Sequence, residues 1–198
     1  MQTYATGRYQ FSIHTNTMCY SDTARDILAK EAMKHNPDYL LWIDADQIYP
    51  ANTPEILMNH IDSGKLIVGG LTPHGVSGQP LAYDMIDTAG LCRARALPLQ
   101  QGVVKVGALG LGGIMMSPEV FKILEYPWFR MKWSKRAGFR PGMDFQFFGH
   151  CKKAGIDVWA DTDLIFGHVV VGLREMKEPK ANIDGISREG RELIEDDK

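Results

Sequence analysis

Residues 39–46 read YLLWIDAD, an apolar run of five residues that ends in Asp44-Ala45-Asp46. A short continuous apolar run is typical of a strand that is buried on both faces of a parallel sheet. Residues two apart in an extended chain point to the same side, so both carboxylates are expected to face one point beyond the strand. Ligands of α/β sheets bind outside the carboxyl ends of the strands. The segment therefore predicts an α/β fold with a ligand site at Asp44 and Asp46.

Strand and helix patterns alternate on both sides of this segment, as they do in α/β proteins. The predicted elements are a strand at 9–15, a helix from about 21 to 35, the strand at 39–43, a helix from about 52 to 64, strands at 66–70 and 103–106, a short helix at 117–124, a helix at 143–154, a strand at 157–160 followed by a turn, and a strand-like segment at 164–168. We expect a single α/β domain over residues 1–172 with a mostly parallel central sheet, and a charged tail over residues 173–198.

Length and composition limit the classes of protein to consider. A chain of 198 residues with 44% hydrophobic residues can bury one sizeable core, and a net charge of −2 provides no global attraction to nucleic acid or membrane. The three cysteines are far apart and form no CxxC pair, which argues against a disulfide framework or a zinc site. No apolar stretch approaches the ~20 residues of a membrane helix, and the first residues do not resemble a signal peptide. We expect a cytoplasmic protein without a membrane span.

The two aspartates after the first buried strand have two interpretations. Two neighbouring carboxylates repel each other and are stabilised by a cation, and their hard oxygens suit Mg²⁺ or Mn²⁺, which reserve positions for substrate phosphates. Alternatively, the aspartates belong to a turn and cap the following helix. Asp161-Thr162-Asp163 has the same spacing, so the motif alone decides nothing. The position of Asp44 and Asp46 directly after five apolar strand residues favours this pair as the metal site.

Two further residues carry chemistry that suits such a site. His168 ends a strand-like segment, so its imidazole can complete an oxygen and nitrogen site for Mn²⁺, although a hydrogen-bonded structural histidine is the simpler interpretation. Asp144 lies in the first turn of a predicted helix, where a carboxylate often serves only as a partner of the helix dipole. At the rim of a cleft, the same carboxylate can act as a general base toward an attacking hydroxyl.

Taken in order, six short stretches resemble the glycosyltransferases of the A-type fold, and among them the family-2-like enzymes that bacteriophages often encode. The stretches are ARD at 24–26, DYLLWIDAD at 38–46, VGALGLGG at 106–113, PWF at 127–129, GMDF at 142–145 and DTDLIFGH at 161–168. Their order and spacing cover residues 20–170, which is most of the chain.

The resemblance implies a nucleotide-sugar donor whose diphosphate is held by Mn²⁺ or Mg²⁺. Asp46 and His168 would be ligands of the ion, and Asp44 would contact the ion or the ribose. Arg25 would lie near the nucleotide. Asp144 would match the base of the inverting members. The implied activity is that of a metal-dependent hexosyl- or pentosyltransferase that acts on an acceptor hydroxyl, with inversion.

The resemblance also places the glycine-rich turn, including Gly112 and Gly113, beside the sugars. The sequence departs from the family pattern at two points. Met143 stands where the family has a Glu before the catalytic Asp, and the chain shows no counterpart of the usual first strand with its Pro-containing turn. A nucleotidyltransferase and a non-catalytic nucleotide-sugar-binding module therefore remain alternatives.

A basic and aromatic segment precedes Asp144. Five cations at 130, 132, 135, 136 and 140 are interleaved with aromatic residues at 128, 129, 133 and 139. Basic side chains hold phosphates, and aromatic faces stack on bases or sugars, so we expect Trp128, Arg136 and Arg140 on the acceptor side. An anionic acceptor, such as modified nucleic acid, follows from this view. The alternative is a solvated basic loop with a few packed aromatic residues.

Overall fold

The structure is a computed structural model that describes residues 2–6, 9–16, 20–75, 77–86, 92–94, 99, 101–133, 138, 142–170 and 172–174. In chain order the described elements are β1 (Gln2–Thr6), β2 (Tyr9–Ile13), α1 (Ser21–Met33), β3 (Leu40–Trp42), β4 (Gln47–Ile48), α2 (Thr53–Asp62), β5 (Ile67–Leu71), β6 (Ala82–Ile86), β7 (Cys92–Ala94), β8 (Val103–Val106), β9 (Ala108–Leu109), β10 (Ile114–Met116), α3 (Glu119–Ile123), α4 (Met143–Lys153), β11 (Val158–Ile165), β12 (Gly167–Val170) and β13 (Gly172–Arg174). The first two residues of the predicted charged tail, 173 and 174, belong to β13, and the rest of the tail, 175–198, lies outside the described residues.

The central sheet has five strands in the order β3-β10-β5-β11-β8. Among the described strands of this sheet, only β5 and β11 pair in parallel, whereas β10 is antiparallel to both β3 and β5, and β8 is antiparallel to β11. The α/β class is confirmed, but the expectation of a mostly parallel sheet is wrong. A continuous apolar run indicates that a strand is buried on both faces, but it does not indicate the direction of the strand. Strand β10 is also buried on both faces, and it runs in the opposite direction to its neighbours β3 and β5.

Both faces of this sheet are covered, which explains the continuous apolar strands. Along β10, Ile114 and Met116 belong to the core cluster that includes Phe129 and Phe147, while Met115 belongs to the cluster around α2 and Phe166. Successive residues of a strand point to opposite faces, so the two clusters lie on opposite sides of the sheet. The larger cluster packs beneath α1 and α4, and these two helices carry the residues that approach the end of β3.

The helix predictions are largely confirmed, and the last strands differ from expectation. The helix α2 has Pro54 in its first turn, where the missing N–H costs no helical hydrogen bond. Asp161 to Asp163, expected in a turn, belong to the long strand β11, whose pairing with β5 shifts between Ala160 and Ile165. Before β3, the only strands among the described residues are β1 and β2, which form a hairpin that does not join the central sheet. No helix among the described residues is long and apolar enough to cross a bilayer.

Candidate functional site

The candidate site lies where the chain leaves β3, and it begins with the contact of Asp46 and His168. Strand β12 pairs antiparallel with β4, so His168 lies opposite Gln47, and the Val169 N–H donates to the Asp46 carbonyl at 2.7 Å. This pairing brings His168 Nε2 to 3.3 Å from Asp46 Oδ2. Two residues 122 positions apart thereby meet at one end of the sheet.

The orientation of the His168 ring follows from its second nitrogen. Nδ1 lies 2.9 Å from the Pro73 carbonyl oxygen, which can only accept a hydrogen bond. Nδ1 therefore carries the proton of the neutral ring, and Nε2 directs a lone pair toward the Asp46 carboxylate. Two acceptors at 3.3 Å repel each other unless a proton or a cation lies between them. Metal-binding histidines usually donate the hydrogen of their second ring nitrogen to an acceptor such as a backbone carbonyl, which fixes the orientation of the ring.

Asp44 takes a different partner. Its Oδ1 accepts a hydrogen bond from Arg25 Nη2 at 2.6 Å, and the guanidinium also lies 5.2 Å from the centre of the Trp42 ring. The Arg25 side chain is only 12% exposed, so the guanidinium is largely shielded from solvent, whereas the Asp44 side chain is 36% exposed. The described residues contain no group of three or more His, Cys, Asp or Glu side chains that would hold a metal ion. The predicted trio of Asp44, Asp46 and His168 is thus reduced to a pair.

The reason lies in the local backbone. Strand β3 ends at Trp42, and residues 44–47 form a turn in which the Gln47 N–H approaches the Asp44 carbonyl at 3.4 Å. The rule that residues two apart share a side applies to an extended chain only. Asp44 consequently points toward α1, and Asp46 points toward β12.

Asp46 and His168 nevertheless fit a divalent ion. Adjacent ligands at ~2.0–2.2 Å from one ion are roughly 3 Å apart, close to the observed separation of their nearest atoms. The Asp46 side chain is 61% exposed, so the position between the two groups is open on one side. Mg²⁺ and Mn²⁺ commonly take one or two protein ligands and leave their other positions to water and substrate phosphates.

Asp144 approaches the same region from the first turn of α4. Its Oδ2 accepts a hydrogen bond from the Leu111 N–H at 3.4 Å. Burial raises the pKa of the Asp144 carboxyl above its ordinary value of 3.8, the Arg25 guanidinium and the Leu111 N–H oppose that rise, and the Asp44 carboxylate adds to it. Arg25 therefore acts on two carboxylates at once. A partly buried carboxyl with a raised pKa is the kind of group that serves as a general base.

The two glycines of the predicted donor site have different surroundings. A Cβ on Gly112 would lie 2.5 Å from Gln47 Nε2 and 2.6 Å from Asp44 Oδ2, so Gly112 lies directly against the turn of the candidate site. Gly113 has a φ of +73°, and a Cβ there would lie 2.0 Å from the Phe166 ring. Gly113 therefore allows close packing against Phe166, and its place beside the donor stays a prediction.

The acceptor-side residues are only partly described. Trp128 is 9% exposed, and its Nε1–H donates to the carbonyls of Phe121 and Leu124 at 3.2 Å. Its ring is packed in the core, which corrects the expectation that Trp128 stacks on an acceptor. Trp133 is 66% exposed. Arg136 and Arg140 lie outside the described residues.

Comparisons with known proteins give a structural relationship and no family. No protein-family model and no curated protein matches the chain. Among solved structures, the chain is similar to A197 from STIV, a viral protein, with a TM-score of 0.58 and 15% sequence identity. The similarity covers 85% of this chain and 82% of A197. At this identity the comparison shows a shared fold.

Three residues of the site were missed by the sequence analysis. The Tyr49 hydroxyl accepts the Asp44 N–H at 3.0 Å and donates to Gln47 Oε1 at 2.7 Å, and Thr72 Oγ1 lies 3.4 Å from the same Oε1. Burial, together with the nearby Asp44 and Asp46 carboxylates, raises the pKa of Tyr49 to about 12, although the Asp44 N–H and Arg25 oppose this. In the sequence, the polar residues Gln47 and Tyr49 follow the two aspartates closely and could have indicated that they belong to the site. Nothing in the sequence marked Thr72.

Proposed function

We propose that this chain is a metal-dependent glycosyltransferase that moves a sugar from a nucleotide-sugar donor to an acceptor hydroxyl with inversion. The proposal depends on one observation. An open pair suited to a divalent ion, Asp46 and His168, lies at the same end of the fold as a partly buried carboxyl, Asp144, and the ion pair of Arg25 and Asp44 links the two regions. The likeness to A197 supports the fold alone.

At the donor end, Asp46 and His168 would hold Mn²⁺ or Mg²⁺. When bound, the ion supplies positive charge to a leaving diphosphate. Arg25 binds Asp44 Oδ1, the carboxylate oxygen that faces α1. The other oxygen, Oδ2, lies near Gly112 and stays available for a hydroxyl of the donor. These residues bind and orient the donor.

At the acceptor end, Asp144 would take the proton of the attacking hydroxyl. The acceptor oxygen then bonds to the anomeric carbon from the face opposite the diphosphate, and the bond from that carbon to the diphosphate oxygen breaks. The nucleoside diphosphate leaves with the bonding electrons. A positioned base typically contributes ~10²–10⁴-fold to the rate.

The acceptor is proposed to be anionic, with modified nucleic acid as the example. The support is the basic segment before Asp144, in which Arg130 and Lys132 are exposed and Trp133 offers a free ring. Phosphate contacts release counterions, so acceptor affinity should fall as salt rises. Replacing Arg136 and Arg140 with Gln should weaken acceptor binding and flatten that salt dependence. Equal transfer to a neutral acceptor at all salt concentrations would contradict the anionic assignment.

The test is a product analysis with UDP-, GDP-, ADP- and CDP-glucose in the presence and absence of Mn²⁺. We expect release of one nucleoside diphosphate that requires Mn²⁺ and is lost in Asp46→Ala and His168→Ala. Asp157→Ala and His35→Ala are matched controls, because both side chains are exposed and belong to other ion pairs. Release of glucose 1-phosphate would instead identify a nucleotidyltransferase, and binding without turnover would identify a binding module.

A further inference from the structure

Gln47 follows the two aspartates directly and is held by hydroxyl groups on one side only. Its Oε1 accepts the Tyr49 hydroxyl at 2.7 Å and has the Thr72 hydroxyl at 3.4 Å. The residue is half-buried, in the short strand β4 that pairs with the strand of His168. Its side chain therefore has a defined place inside the site, between the Asp44 turn and β5.

The hydrogen bonds determine which way the amide points. The Tyr49 oxygen already accepts the Asp44 N–H at 3.0 Å, so its own proton is free to donate, and Gln47 Oε1 is the nearest acceptor. The amide nitrogen must then face away from Tyr49 and Thr72. Within the described part of the chain, no acceptor takes a hydrogen from Nε2, and an amide nitrogen carries two.

The position that Nε2 faces is also defined. A Cβ on Gly112 would lie 2.5 Å from Gln47 Nε2, 2.7 Å from Gln47 Oε1 and 2.6 Å from Asp44 Oδ2, so the end of the amide lies flat against Gly112 beside the carboxylate. An amide donor and a carboxylate acceptor therefore lie side by side over a residue that has no side chain. A hydroxyl group can donate to the carboxylate and accept from the amide at the same time, whereas a phosphate oxygen can only accept.

We propose that Gln47 determines donor specificity by donating a hydrogen bond from Nε2 to a sugar hydroxyl that itself donates to Asp44. Tyr49 and Thr72 are positioning residues that hold the amide in this orientation. The assignment rests on the proposed function, because it presumes a nucleotide-sugar donor at this site. The hydroxyl belongs either to the nucleotide ribose or to the transferred sugar.

The experiment measures the affinity ratio between a donor and its deoxy analogues. Calorimetry with Mn²⁺ first identifies which of UDP-, GDP-, ADP- and CDP-glucose binds the wild-type protein. That donor is then compared with its 2′-deoxyribose, 3′-deoxyribose and 2-deoxyglucose analogues. Weaker binding of a deoxyribose analogue would assign the hydroxyl to the ribose, and weaker binding of the 2-deoxyglucose analogue would assign it to the transferred sugar.

Four variants carry the test, and one of them, Tyr49→Phe, removes the hydroxyl that holds the amide. Gln47→Glu keeps the acceptor for Tyr49 and Thr72 but replaces the donating nitrogen with oxygen. Gln47→Met keeps the length of the side chain but lacks the polar amide. It replaces Gln47→Glu in the test if the negative charge of Glu disturbs folding. Gln10→Glu makes the same chemical change at an exposed position on β2 and is the matched control.

We expect the wild-type protein and Gln10→Glu to bind one deoxy analogue at least about tenfold more weakly than the parent donor, because sites built to bond a hydroxyl reject analogues that lack it. In Gln47→Glu and Gln47→Met the ratio should fall to about twofold or less, and Tyr49→Phe should give an intermediate ratio. An unchanged ratio in folded Gln47 variants, or a wild-type protein that accepts every deoxy analogue equally, would overturn the assignment alone. A wild-type protein that binds no nucleotide sugar would overturn the proposed function and the assignment together.

Discussion

Arg25 on α1 and Asp44 at the end of β3 form an ion pair of 2.6 Å, and the charge of the same guanidinium also acts on Asp144. The arginine is largely shielded from solvent and packs over Trp42, so its position is defined by the core. A buried cation between two carboxylates lowers the cost of keeping both ionised. Arg25 therefore connects the Asp44 carboxylate, at the proposed donor end of the site, with Asp144 at the proposed acceptor end.

The first prediction concerns Arg25→Met, which removes the charge and keeps an apolar side chain over Trp42. Arg25 lowers the pKa of Asp144, so its loss should raise that pKa further. A general base acts only when it is deprotonated, so the acidic limb of the kcat/KM profile should move to higher pH. Lys34→Met, an exposed cation at the end of the same helix, should leave the profile unchanged. An unmoved acidic limb in Arg25→Met would remove Asp144 from the role of base.

The second prediction separates the catalytic role of Asp144 from its effect on stability. Asp144→Asn should lower turnover by ~10²–10⁴-fold and leave donor affinity nearly intact. Burial raises the pKa of this carboxyl in the native state, so the native protein holds the proton more tightly than the unfolded chain does. Ionisation then costs native stability progressively as pH rises from about 3.8 through the folded pKa, and the cost is fully present above it.

The Asn variant carries no such cost. Its free energy of unfolding relative to wild type should therefore increase between pH 4 and pH 7, as measured by urea denaturation at each pH. The same difference at both ends of that range would mean that burial does not destabilise the Asp144 carboxylate.

A third prediction uses Mn²⁺ itself as the probe of the Asp46–His168 pair. A ligand that binds only the native state raises stability, by ~2.7 kcal/mol at a hundredfold excess over its dissociation constant. Mn²⁺ should raise the Tm of the wild-type protein and of Asp44→Asn, because Asp44 is engaged by Arg25. The increase should be absent in Asp46→Asn and His168→Asn. If Asp44→Asn abolished it and Asp46→Asn did not, the structure-based choice of ligands would be wrong.

The fourth prediction concerns the two glycines at 110 and 112. In Gly112→Ala the new methyl group would meet the end of the Gln47 side chain and Asp44 Oδ2, so these groups must move. A flexible side-chain end yields at low cost, so we expect the protein to stay folded and its donor affinity to fall. Gly110→Ala is the control, because its nearest neighbour would lie 3.4 Å away on Leu81. The comparison is made by thermal unfolding and by calorimetry with the donor.

The local pattern of the sequence was sufficient for much of the fold. Helix α2, with Pro54 in its first turn and Gly64 after its end, and strand β8 were predicted nearly residue by residue. Capping residues, helix breakers and apolar periodicity act over a few neighbouring residues, so they can be read along the chain. The same local reading placed Asp44 and Asp46 at the end of a buried strand.

Tertiary structure decided what those residues face. Burial on both sides of β10 is visible in Ile114-Met115-Met116, but its antiparallel direction between β3 and β5 depends on how the preceding turn reverses the chain. Asp44 is directed to Arg25, and Asp46 to His168, by a turn that the Tyr49 hydroxyl holds and by the β4–β12 pairing. The β4–β12 pairing joins segments that are far apart in the sequence, and the turn after β3 is held by a side-chain hydrogen bond that apolar periodicity does not report. The sequence by itself determined which residues are candidates for the site, and only the folded chain decided which of them lie close enough to act on one another.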